Sequence, residues 1–71
     1  MDYITVRMTG EKAKMKKLMK LIGNIRGRVI HATTIADEEH GDKFDVAFTV
    51  SSRRFGKTVS KLTRLGDLVV T

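Results

Sequence analysis

Seventy-one residues, 41% of them hydrophobic and none of them cysteine or proline, fit one small domain and exclude a disulfide scaffold. Fourteen Lys and Arg against eight Asp and Glu give a formal charge of +6, which favours polyanionic partners such as nucleic acid or an acidic protein surface. No apolar run approaches the roughly 20 residues of a membrane-spanning helix, and Met1 to Val6 lacks the basic and apolar stretches of a secretory leader, so a cytoplasmic location is expected.

From Tyr3 to Met8 the apolar Ile4, Val6 and Met8 alternate with Tyr3, Thr5 and Arg7, the period of two of a half-buried strand. Thr9-Gly10 is expected to break that strand. A first helix is predicted from about Glu11 to Ile22, because Met15, Leu18, Met19 and Ile22 recur at helical spacing with Lys12, Lys16, Lys17 and Lys20 toward the other side. Gly23-Asn24 is the expected left-handed cap of that helix, and Arg26-Gly27-Arg28 extends the connection.

A second strand, rich in β-branched residues, is predicted from Val29 to about Ala36. Its parity stays open, since either His31 and Thr33 or Ile30, Ala32 and Thr34 could share the uncovered side. The acidic stretch 37–42 reads as a hairpin connection, with Gly41 near its end. In the third strand Phe44, Val46, Phe48 and Val50 oppose Asp45, Ala47 and Thr49. Ser51-Ser52 supplies N-caps for a second helix with an apolar stripe of Phe55, Val59 and Leu62, ended by Gly66-Asp67, and Leu68 to Thr71 forms a short last strand.

The predicted order is β-α-β-β-α-β over residues 1–71, an α+β ferredoxin-like two-layer sandwich with a four-stranded antiparallel sheet and two helices on one face. The helix layer then carries Lys12, Lys14, Lys16, Lys17, Lys20, Arg53, Arg54, Lys57, Lys61 and Arg64, while the acidic residues concentrate around the hairpin. Two uses of this asymmetry are considered. Lys16, Lys17, Lys20, Arg53, Lys57, Lys61 and Arg64, with Arg26 and Arg28, could bind phosphates of a nucleic acid. Alternatively, the basic side of one copy could meet the acidic hairpin of another.

Over nearly its whole length the chain resembles ACT-like regulatory domains, on the order of its elements, the glycine of Thr9-Gly10-Glu11 and the passage from Leu21 through Gly23, Asn24 and Gly27 to Ile30. The resemblance implies pairing into larger sheets, hence a homodimer or higher homo-oligomer. It also implies a small effector bound near Gly10 and Asn24. An RNA-recognition platform is not expected, because Phe44 and Phe48 share the parity of Val46 and Val50 and leave Tyr3 as the lone surface aromatic of the strands.

No constellation for catalysis is apparent. Ser51, Ser52 and Ser60 are explained by capping and helix exposure, and Arg54-Phe55-Gly56-Lys57-Thr58 lacks the upstream glycine and strand context of a phosphate-binding loop. His31 and His40 show no recognised metal spacing, so neither a metal nor a cofactor is expected. The expectation is a non-enzymatic regulatory or interaction module that self-associates through its sheet, with nucleic-acid binding as the alternative.

Overall fold

Alternation and helical periodicity resolve, in a computed structural model that describes residues 2–71, into four strands and two helices. The strands are β1 (Tyr3–Glu11), β2 (Arg28–Ile35), β3 (Lys43–Ser51) and β4 (Asp67–Val70), and the helices are α1 (Met15–Asn24) and α2 (Ser52–Thr63), with a 3-10 turn at Lys12–Lys14 leading into α1. The sheet is antiparallel in the order β2-β3-β1-β4, the ferredoxin-like arrangement.

Burial follows the parity of the strands. Val6 and Met8 of β1 and Phe44, Val46, Phe48 and Val50 of β3 are fully buried beneath Leu18 and Ile22 of α1 and Leu62 of α2. Methionines at positions 15 and 19 and Phe55 pack at the margin of that core. The opposite parity (Thr5, Arg7, Ala47, Thr49) lines the open face, as alternation predicts.

The ends of β1 and of α1 differ from the sequence reading. Thr9-Gly10 does not end β1, which continues to Glu11 with Gly10 opposite Phe44. The strand persists because the Phe44 ring packs over the glycine: a Cβ there would lie 2.8 Å from Phe44 Cε2 and 2.9 Å from the Leu65 carbonyl oxygen. Helix α1 also runs past Gly23 to Asn24, and its left-handed cap is Arg26, at φ 57. The Gly27 N–H donates to Ile22 O at 2.8 Å and the Arg26 N–H to Gly23 O at 3.1 Å, the paired bonds of a Schellman ending. Periodicity could not place this cap, because glycines stand at both 23 and 27.

The open parity of β2 is settled by a bulge. Val29 pairs with Phe48 and His31 with Ala47, leaving Ile30 as the extra residue. Arg28, His31 and Thr33 therefore share the open face, whereas Val29, Ala32 and Thr34 share the helix side.

The turn after β2 is built by Asp37, whose Oδ1 accepts from the backbone N–H of Glu39 at 3.0 Å and of His40 at 3.1 Å. Gly41 supplies the positive φ of 78 that completes the reversal. At the passage from β3 to α2, the Ser51 hydroxyl caps the helix by accepting from the Arg54 N–H at 3.2 Å.

Candidate functional site

β2 has a strand on one side only, so the main-chain groups along its outer side face away from the sheet. None of its eight residues is buried, on either face. Three of them are large and apolar, with Val29 at 36%, Ile30 at 56% and Ile35 at 51% exposure. β2 lies at the edge of the sheet, beyond the central strands β1 and β3 whose side chains pack beneath Leu18, Ile22 and Leu62. The opposite edge, β4, is only four residues long, with Val69 and Val70 exposed.

On the open face lies a polar cluster that the sequence pattern did not single out. The Arg7 guanidinium donates to Asp45, Nε to Oδ1 at 3.0 Å and Nη2 to Oδ2 at 2.6 Å, a two-pronged ion pair between β1 and β3. His31 of β2 brings Nε2 to 4.0 Å from the same carboxylate. Asp45 is only 6% exposed beneath these two side chains.

The hydrogen bonds from Arg7 hold the Asp45 carboxyl below the usual carboxylate range, with burial opposing them and the charges of Arg7 and His31 adding to them. The Arg7 guanidinium is correspondingly pushed up. A signal was available in the sequence: Arg7 and Asp45 are the charged residues of open-face parity in the interior of the two central strands, whereas Glu11 and Lys43 stand at the strand ends. Their diagonal proximity depends on the register Arg7↔Ala47 and Thr9↔Asp45, which alternation alone does not give.

The residues singled out from the sequence do not fall in one place. Gly10 lines a shallow cleft of about 210 Å³ with Thr9, Lys14, Leu65 and Gly66. Asn24 closes α1 at its far end, roughly 15 Å of helix away, so the two effector candidates are not brought together. Lys16, Lys17 and Lys20 on α1, Arg53, Lys57 and Lys61 on α2, and Arg64 just beyond it are all exposed.

Among the described residues, Lys12 is the helix-layer cation that reaches a carboxylate, at 3.9 Å from Asp42. Arg26, in the turn that ends α1, and Arg28, at the start of β2, are exposed. Arg53, Arg54 and Lys57 line a second cleft, of about 400 Å³, with Asp2, Ser51 and Ser52 at the start of α2.

His40 Nδ1 stands 3.3 Å from Asp37 Oδ2 in the hairpin turn, and the carboxyl of Asp37 is held low, chiefly by the backbone N–H of His40. Among the described residues no three His, Asp or Glu side chains converge in the manner of a metal site. Among the described residues no helix is long and apolar enough to cross a membrane. Three surfaces stand out: an unpaired strand edge, an ion-paired open face and a cationic helix layer. No protein-family model, no curated protein and no solved structure matches the chain.

Proposed function

We propose that this chain is a non-catalytic interaction module that associates with further copies of itself through its sheet, with the ACT-like architecture that its element order resembles. The observation that supports this reading is β2, exposed along its entire length and carrying Val29, Ile30 and Ile35 into solvent. An eight-residue strand with an unpaired edge and apolar side chains on both faces offers hydrogen-bonding groups and apolar area to a partner. Effector binding has less support. The cleft beside Gly10, at about 210 Å³, falls short of the roughly 300–1,000 Å³ typical of pockets for drug-sized ligands.

Sedimentation equilibrium from low to high micromolar concentration tests the reading. The expected result is a mass rising from 8.0 kDa toward a multiple of it. A mass of 8.0 kDa at every concentration would remove self-association from the function.

A second reading, binding of a polyanion by the helix layer, is supported by the exposed cations of α1 and α2 and by the scarcity of carboxylates near them. Its partner would be a nucleic acid, held through phosphate contacts by Lys16, Lys17, Lys20, Arg53, Lys57, Lys61 and Arg64.

A further inference from the structure

We infer that β2 of one copy pairs antiparallel with β2 of a second copy, about a two-fold axis near Thr33, with the Arg26 and Arg28 end of each strand set against the Glu38 and Glu39 turn of the other. The inference rests on the self-association proposed above and names its geometry. Four observations carry it.

The first is the edge itself. β2 presents eight residues without a strand beyond it, against four in β4. Edge strands are commonly blunted by lysine or proline along their length, and β2 contains neither.

The second is the bulge. With Ile30 looped out, His31–Ile35 is the regular part of the strand, and Thr33 is its middle residue. Antiparallel pairing about Thr33 sets His31 opposite Ile35 and Ala32 opposite Thr34, so partners share a face and no like charges stand directly opposite each other.

Charge polarity is the third, and it selects the direction of pairing. Arg26 and Arg28 stand at one end of the strand, exposed and without a carboxylate partner among the described residues. Glu38 and Glu39 stand just past the other end, also exposed, in a turn whose Asp37 is already occupied by backbone donors. A parallel arrangement would bring the like-charged ends together, whereas an antiparallel one joins opposites.

The fourth concerns the competing surface. Packing two open faces against each other would bury the paired Arg7 and Asp45 charges together with His31, which costs desolvation. Edge pairing leaves that cluster in water.

The chain has no cysteine, so Thr33→Cys introduces a single exposed thiol at the proposed axis. Two such residues facing each other across an antiparallel pair stand about 4.5–5.5 Å apart at Cα, within reach of a disulfide. Mild oxidation of this variant is expected to yield a covalent dimer, while Tyr3→Cys on the open face and Val69→Cys on the other edge stay monomeric on denaturing gels.

Arg28→Glu is expected to weaken dimerisation about fivefold, with recovery in the double variant Arg28→Glu, Glu38→Arg. Hydrogen exchange on the unaltered chain gives a reading without substitution: the outward amides of His31–Ile35 slow at high protein concentration and exchange freely when dilute. If the chain associates but only Tyr3→Cys or Val69→Cys crosslinks, or exchange in β2 ignores concentration, the β2 geometry is overturned and self-association stands. A monomer at every concentration overturns both.

Discussion

Arg26 holds φ 57, a left-handed backbone that costs an ordinary L residue roughly 1–2 kcal/mol and that glycine adopts freely. The Schellman bonds around it fix that conformation whatever the side chain. Arg26→Gly should therefore stabilise the dilute protein by about 0.5–1 kcal/mol, read as a higher urea midpoint. The same substitution removes a cation from the basic end of β2, so it should loosen self-association while tightening the fold.

At Asp45 the prediction is one of pH. Its folded carboxyl lies below the unfolded value of about 3.9, so the stability it contributes is fully present above that value and is lost as pH falls through the folded one. Urea midpoints should stay level from neutral pH down to about 5 and fall below about 4. Asp45→Asn should flatten part of that acid limb and lower the neutral plateau, since Arg7 loses its partner. Asp37, also held low, accounts for a further part.

Among the elements, the helices each contain a glycine that helical geometry does not need. A Cβ at Gly56, within α2, would meet open space. Gly56→Ala should stabilise the chain by about 1 kcal/mol in chemical denaturation. Gly10→Ala should act oppositely, because its Cβ would press on the Phe44 ring and on the Leu65 carbonyl, which belongs to backbone and yields little. A loss of about 1–3 kcal/mol is expected there.

These two glycines also mark where sequence was legible and where it was not. Strand parity in β1 and β3 identified the core, since a period of two leaves each residue one choice of face. The same reasoning stopped at Gly10, where composition suggested a break and tertiary packing against Phe44 kept the strand going. It stopped again in β2, because a bulge shifts parity midway and is set by the neighbouring strand. The ion pair of Arg7 with Asp45 and the exposure of all of β2 follow from register and from the place of β2 at the sheet's edge, both properties of assembled elements.

For the whole molecule, the charge of +6 is unevenly spread. The helix layer collects cations and the 37–42 turn collects acids, so electrostatics act at two separate surfaces. If the helix layer meets nucleic acid, fluorescence anisotropy with a duplex should show affinity falling with salt at a log-log slope of about −0.9 per phosphate contact. Reversing Lys16, Lys17 and Lys57 to Glu should reduce that slope. Absence of binding at low salt would leave the cations as a solvating layer.

The inequality of the two sheet edges bears on where growth of an assembly ends. Copies stacked head to tail, β2 of one upon β4 of the next, would run on as a fibre, but they would match eight residues with four and leave half of each long edge bare. A two-fold union of β2 with β2 pairs His31–Ile35 of both copies and sets the start of each strand against the other's turn, and what it leaves at its rims are two strands of four residues. In the proposed pairing the sheet counts to two and then stops, so a basic chain with exposed valines and isoleucines would join its own kind without polymerising.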